Sequence, residues 1–383
     1  MTEARTGALF MPRTYASTES NKTGSWRYLR PRYEEKTAPC STGCPAGEDI
    51  GTIEMLTAQG LFKEAWEKIL IENPFPAVCG RVCYHPCEAK CNRREFDSGV
   101  AIRILERFLA DTASRYELKP SIERSPAKKQ KIAVAGAGPS GLTAAFFLTV
   151  LGYKCDVFES MPEPGGVLRW AIPGYRLPPA ALKNEIARIE NLGISIRTGK
   201  PVSWASIEEA RGNYDAVFIG CGHPRTAMIN FPGEDSAGMV DGMEFLRKVR
   251  GGGSPPCEGL SAVIGGGNTA MDVARSIVRL GGKAVILYRR RRQDMPAFEE
   301  EISMALDEGV ELKELLAPVR LTPDSGGYLL TMQHMKVTGE DEKGRALIGP
   351  DGSRTLDFRI QRVFKATGAE AAEEWQNPPR KGQ

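Results

Sequence analysis

The sequence predicts an α/β protein in which a cysteine-rich helical region precedes two Rossmann-like strand-turn-helix units. Three patterns carry that prediction. Lys131 to Phe147, KIAVAGAGPSGLTAAFF, runs from a short apolar strand through a glycine turn into an Ala/Phe/Leu-rich helix. Leu260 to Arg292, LSAVIGGGNTAMDVARSIVRLGGKAVILYRRRR, repeats the arrangement. Six of the nine cysteines lie between Cys40 and Cys91, ahead of both units.

With 383 residues and 41% apolar content, the chain is long enough for about two or three domains, each with its own core. A formal net charge of +3 excludes broad attraction to nucleic acid or to a membrane surface, so any anion binding must be local. The longest apolar-rich run, Leu142 to Tyr153, is interrupted by threonines and too short to span a bilayer. The N-terminus, MTEARTGALFMPRTYASTES, has no continuous hydrophobic segment ahead of a cleavage site, and the expectation is a cytoplasmic protein.

Residues 1–35, rich in Thr, Ser, Arg and Tyr without periodicity, read as an extended or disordered arm. Residues 36–125 read as a helical cluster domain. Cys40 and Cys44 open it, a helical stretch from Met55 to Ile71 follows, and then Cys79, Cys83, Cys87 and Cys91 recur every fourth residue. On one helix that spacing would align four thiols, but Gly80 and Pro86 argue for turns that wrap around something. Zinc also takes paired cysteines, yet six sulfurs exceed one tetrahedral site, and closely spaced cysteines with a following proline, as in Cys44-Pro45, favour iron and sulfur. A helix from Val100 to Ser114 carries an apolar stripe of Ile102, Leu105, Phe108 and Leu109; Glu106 beside it reads on its own as a solvated carboxylate. The polar linker SIERSPAKKQ closes the region.

Residues 126–252 read as the first dinucleotide-binding domain. Gly136 allows the tight turn, Gly138 lets a pyrophosphate approach, and Gly141 packs the helix on the strand; Pro139 and Ser140 sit in the turn. The next strand, Tyr153 to Phe158, ends in Glu159, where an acid receives ribose hydroxyls. The loop MPEPGGVLRWAIPGYRLP is too irregular for a core strand and suits a ligand pocket, with Gly166, Leu168 and Arg176 as candidate cofactor contacts. A helix from Lys183 to Leu192 and strands Ile194 to Thr198 and Ala216 to Gly220 continue the alternation.

Residues 253–368 read as the second such domain. Gly265, Gly267 and Ala270, with Asn268 and Thr269 between, form G-x-G-x-x-A, and the strand Ala284 to Tyr288 ends in Arg289 and Arg290 rather than an acid. Arginine there suits a ribose 2'-phosphate, favouring NADPH over NADH; the other reading of Arg289 to Arg292 is a solvated basic face. A helix from Phe298 to Asp307, a strand from Val310 to Leu316 and strands near Tyr328 to Met335 and Arg359 to Ala366 follow, then a polar tail over 369–383. His85, His223 and His334 have no spacing that suggests a metal site or a triad, and no acid-base side chain is expected to be catalytic.

Taken together, the cysteine block, GAGPSG, PGGVLRWAIPGYRLP, GGGNTAMD and YRR-x-x-x-x-MPA resemble the small-subunit family of NADPH-dependent glutamate synthase. The pattern is shared with the N-terminal half of dihydropyrimidine dehydrogenase, the large subunit of NADH-dependent ferredoxin:NADP oxidoreductase and DsrL-type flavoproteins. The resemblance implies an iron-sulfur domain, an FAD domain, and an NAD(P)H domain inserted within the FAD domain. It further implies that Cys44, Cys83, Cys87 and Glu106 hold one [4Fe-4S] cluster. A second cluster would use Cys40 and Cys91 with an upstream C-x-x-C, but Arg30 to Ala38 contains no cysteine, leaving Cys79 as a substitute ligand.

The family also closes its FAD domain with a returning Gly-Asp segment, and no Gly-Asp dipeptide occurs in this chain. The FAD domain therefore reads as incomplete at its C-terminal side: the sequence is truncated, a partner completes the site, or FAD binds weakly or not at all. The implied activity moves electrons from NAD(P)H through FAD to the clusters and on to a larger catalytic subunit or redox acceptor protein, in a hetero-oligomer. Two alternatives stand beside it. A thiol-disulfide reductase needs a proximal cysteine pair, and none follows Cys91. A non-catalytic electron-wiring subunit would keep the clusters without flavin turnover.

Overall fold

The computed structural model describes residues 37–203, 205–206, 212–223, 225–342 and 345–370. The arm expected over residues 1–35 and the tail beyond residue 370 lie outside them.

The N-terminal part is helical: α1 (Pro39–Gly43), α2 (Ile50–Ala58), α3 (Phe62–Leu70), α4 (Pro76–Val82), α5 (Pro86–Ala89) and α6 (Ile102–Arg115). The single helix expected from Met55 to Ile71 is broken, because Gly60 takes φ +75° and turns the chain between α2 and α3. Ile53, Trp66, Ile69, Leu70 and Leu109 then close a small core between α2, α3 and α6.

The cysteine run is not one helix. Cys83 ends α4 in an extended conformation, His85 is left-handed at φ 45°, and Pro86 starts α5. The turn expected at Pro86 is therefore present. Gly80 does something different from the expected turn: it lies within α4, where a Cβ would sit 2.5 Å from the backbone nitrogen of Arg107, so its missing side chain lets α4 cross α6 closely.

The first sheet contains β1 (Lys131–Ala135), β2 (Lys154–Phe158), β3 (Ser195–Arg197) and β4 (Ala216–Ile219), all parallel in the order β3-β2-β1-β4. Helices α7 (Pro139–Val150), α8 (Val167–Trp170) and α9 (Pro179–Glu190) connect its strands. Phe75 and Val78 from the cysteine region enter the same core as Val134, Phe146, Val157 and Ile186, so the two regions share one apolar interior.

The chain leaves through β5 (Arg225–Thr226) and builds a second parallel sheet from β6 (Met239–Asp241), β7 (Leu260–Ile264), β8 (Lys283–Leu287) and β9 (Glu311–Lys313), with helices α10 (Gly242–Arg250), α11 (Asn268–Arg279) and α12 (Glu299–Asp307) between them. An antiparallel layer of β10 (Leu316–Asp324), β11 (Gly327–Glu340) and β12 (Ala346–Ile360) precedes the last strand of the parallel sheet, β13 (Arg362–Lys365). The order is β6-β13-β7-β8-β9, so β6, placed by sequence with the first domain, hydrogen-bonds into the second sheet, and α10 follows it there. Residues of β7 and β8 alternate: Val263, Ala284 and Ile286 face the helices, while Ala262, Ile264, Val285 and Leu287 face the antiparallel layer. This explains why both strands are apolar on both faces, apart from Ser261 in β7 and Lys283 at the start of β8.

The exit strand β14 (Ala369–Glu370) pairs antiparallel with the entry strand β5. The second sheet is thus entered and left through one two-stranded neck, the arrangement of an inserted domain. Among the described residues no helix is long and apolar enough to cross a membrane.

Candidate functional site

The cysteines fall into two neighbourhoods. Cys44 lies within electrostatic range of Cys83, Cys87 and Glu106, and Cys83 within range of Cys87 and Glu106, whereas Cys40 feels Cys91. Cys79 belongs with the first group: its thiol is 3.7 Å from Asn73 Oδ1, and its charged neighbours are Glu106, Cys83 and Glu48. Backbone N–H groups of His85 and Val100 point at the sulfurs of Cys83 and Cys91, at 3.3 and 3.5 Å.

Glu106 projects inward from α6 and is 8% exposed, not solvated as its position beside the stripe suggests. Burial, then Glu48 and Cys44, push its carboxyl well above the usual range. Burial likewise raises Cys83, and raises Cys87 to about 12. All these shifts have one sense: the site penalises the anionic forms that thiolate and carboxylate ligation require, a cost that a bound cation would offset. The donor set fits a cluster on that chemistry. Among the described residues no group of three or more His, Cys, Asp or Glu side chains is arranged to hold a metal ion. Two buried polar residues, Glu48 and Asn73, were not legible in the sequence.

Both glycine turns sit at the carboxyl ends of parallel strands, where open α/β sheets bind nucleotides. In the first, a Cβ on Gly136 would lie 2.5 Å from the Gly220 carbonyl oxygen, and one on Gly141 only 1.9 Å from that of Gly136. A Cβ on Gly138 would meet nothing nearer than the Cα of Gly166, at 3.8 Å. The fold thus demands glycine at 136 and 141, while the space over Gly138 is left free for a ligand. Glu159, 6% exposed, accepts hydrogen bonds from the backbone of Ala137 and Met161, both at 2.8 Å, and so holds the turn from below. Pro139 is the first residue of α7, followed by Ser140. Gly166 abuts Gly138, whereas the Leu168 side chain is in the core.

In the second turn, a Cβ on Gly265 would lie 2.2 Å from the Ala366 carbonyl oxygen, while one on Gly267 would find only Pro296 Cγ, at 4.0 Å. Ala270 is fully buried, and Asn268 Oδ1 accepts the backbone N–H of Phe298 at 3.0 Å. Thr269 follows in the first turn of α11. Of the four arginines after β8, Arg291 pairs with Asp294 and Glu340, and Arg292 with Glu299. Arg290 donates its Nε to the Ala346 carbonyl at 3.0 Å, and exposed Arg289 makes no hydrogen bond or ion pair with the described residues.

Arg176 lies in an ion-pair network: it meets Asp272 at 2.7 Å and Glu301 at 2.8 Å, and its side chain is 10% exposed. Arg275 extends the network to Glu301 and Glu308, and Arg279 to Glu308. The loop after β2 is in this way tied to α11 and α12 of the second sheet. The cysteine region also reaches that sheet, through Tyr84 stacked on Phe298 at 4.8 Å.

Comparison with known proteins adds to this geometry. Residues 130–378 match the pyridine nucleotide-disulphide oxidoreductase family, and residues 32–118 match the 4Fe-4S cluster domain II of dihydropyrimidine dehydrogenase. The chain is 36% identical over 330 residues to NADPH-Fe(3+) oxidoreductase subunit beta of Geobacter sulfurreducens, which covers 84% of this chain and 48% of that protein. It is 37% identical over 336 residues to NADP(+)-dependent formate dehydrogenase subunit beta of Moorella thermoacetica, covering 81% and 48%. NAD-dependent dihydropyrimidine dehydrogenase subunit PreT of Escherichia coli K12 is 35% identical over 311 residues, covering 79% and 73%. The chain thus spans about half the length of the first two relatives. Among solved structures, FprA from Mycobacterium tuberculosis in complex with NADPH superposes with a TM-score of 0.55 at 19% identity, over 63% of this chain and 71% of that one, a likeness of fold.

Proposed function

The chain belongs to the pyridine nucleotide-disulphide oxidoreductase family, with a 4Fe-4S domain ahead of its nucleotide-binding sheets, and we propose that it is the electron-input subunit of a larger NADPH-dependent enzyme. The observation that carries this reading is the pair of glycine turns, each with its phosphate-side glycine, Gly138 or Gly267, open where a Cβ would project, on sheets that share packing with the cysteine region.

When bound, the cofactors supply the redox chemistry: hydride from nicotinamide to flavin, then single electrons to the cluster. The residues bind and orient. Gly136, Gly138, Gly141 and the amino end of α7 hold the FAD pyrophosphate, with Gly166 keeping the facing loop close and Glu159 bracing the turn. Gly265, Gly267, Asn268, Thr269 and Ala270 do the same for the NADPH pyrophosphate. Arg289, with no competing partner among the described residues, and the terminal nitrogens of Arg290 meet the 2'-phosphate. Cys44, Cys83, Cys87 and Glu106 hold one [4Fe-4S] cluster. Cys40 and Cys91 supply two ligands of a second. The electrons leave to a catalytic partner subunit, in keeping with the subunit names of the relatives.

Anaerobic purification followed by NADPH addition tests the reading. The expected protein is brown, releases FAD on denaturation and loses its flavin absorbance with NADPH. Colourless protein that carries zinc would sink it.

A further inference from the structure

Resting on the reading of Glu106 as a cluster ligand, we infer that Asn73 is its positioning residue. Asn73 is 5% exposed, and every polar atom of its side chain is used. Its Oδ1 accepts the backbone N–H of Phe75 at 2.8 Å, which fixes the orientation of the amide. Its Nδ2 then donates to Glu106 Oε1 at 2.7 Å and to Glu48 Oε1 at 2.8 Å. An amide nitrogen has two hydrogens, so these two acceptors saturate it. One oxygen of Glu106 is held in this way, and no hydrogen bond from a described residue takes the other.

A carboxylate on a long side chain can turn about its terminal torsion; Asn73 removes that freedom, and Glu48 on its second hydrogen keeps the amide from following Glu106. The Cys79 thiol, resting against Asn73 Oδ1, packs the amide from the side. Cys79 is then part of the support of Glu106 and not a ligand.

The test is Asn73→Asp, which keeps the oxygen that caps Phe75 and replaces the donor with a carboxylate oxygen facing Glu106 and Glu48. The anaerobically purified protein should lose iron to a chelator about 10–100-fold faster than wild type, and the EPR signal of the dithionite-reduced cluster should change. Adding Glu106→Gln to Asn73→Asp restores a hydrogen bond of reversed polarity and should return the loss rate toward wild type. Circular dichroism and thermal melting separate these effects from misfolding, and Asn73→Ser, with a small oxygen in place of the amide, is the second variant if Asn73→Asp does not fold. If Glu106→Ala perturbs the cluster while folded Asn73→Asp or Asn73→Ser leaves iron loss and EPR unchanged, the inference about Asn73 is overturned and the ligand reading stands. If Glu106→Ala also changes nothing, the ligand reading fails and takes the inference with it.

Discussion

Arg289 and Glu106 show how a neighbourhood selects one side chain among similar ones. Four arginines follow β8, and their sequence offers no reason to choose among them. The structure commits Arg291 and Arg292 to carboxylates and leaves Arg289 without a partner among the described residues. Arg289→Ala should raise the Michaelis constant for NADPH about tenfold or more, the loss of one charge-assisted contact, and leave that for NADH nearly unchanged. Equal changes for the two coenzymes would remove the phosphate assignment. Glu106 makes the opposite point. Its helical position reads as a solvated face, and only the crossing of α4 over α6, which Gly80 permits, shows that the carboxylate turns inward. That crossing is a property of two helices far apart in sequence, so residue-by-residue reading could not reach it.

At the scale of the element, the strand-turn-helix units were legible because glycine spacing and apolar runs are local signals. Their glycines nevertheless do different jobs. Gly138→Ala should leave the melting temperature of the flavin-free protein close to wild type and cut FAD retention, since its Cβ would meet only the Gly166 Cα, at an ordinary 3.8 Å. Gly141→Ala should fail to fold or melt far lower, since its Cβ would strike the Gly136 carbonyl at 1.9 Å. Equal melting temperatures would contradict this division of labour. Less legible was the start of the second sheet. Met239–Asp241 is only three residues long, and its identity as a strand comes from pairing with β13, more than a hundred residues later. The break at Gly60 was likewise hidden, because α2 and α3 together keep a helical pattern through a turn that only the positive φ reveals.

The whole molecule is held together by buried charge as well as by shared cores. Arg176 links the loop after β2 to Asp272 and Glu301, and replacing it with Met would leave buried Asp272 without its ion-pair partner and Glu301 with Arg275 alone, a loss of about 3–5 kcal/mol. Denaturant unfolding that shows less than about 1 kcal/mol would mean the network is not a main tie between the sheets. Burial raises Asp272 to about 6 against the pull of Arg176. The folded chain then keeps a proton that the unfolded chain releases near pH 4, so the contribution of Asp272 is full below about pH 4 and lost as pH rises through about 6. The stability of wild type relative to Asp272→Asn should fall across that window; a constant or rising difference would contradict the assignment. None of this network could be foreseen from sequence, where Arg176 reads as a cofactor contact because its loop is rich in Gly and Pro.

The central claim is that this one chain carries electrons from a nicotinamide nucleotide to its N-terminal cysteine region. The most direct measurement is low-temperature EPR of the anaerobically purified protein before and after NADPH alone, with Glu106→Ala alongside. The account predicts a reduced iron-sulfur signal that NADPH elicits in the wild type and that is altered in the variant. A flavin that NADPH bleaches beside a cluster that stays silent, although dithionite can reduce it, would contradict the account.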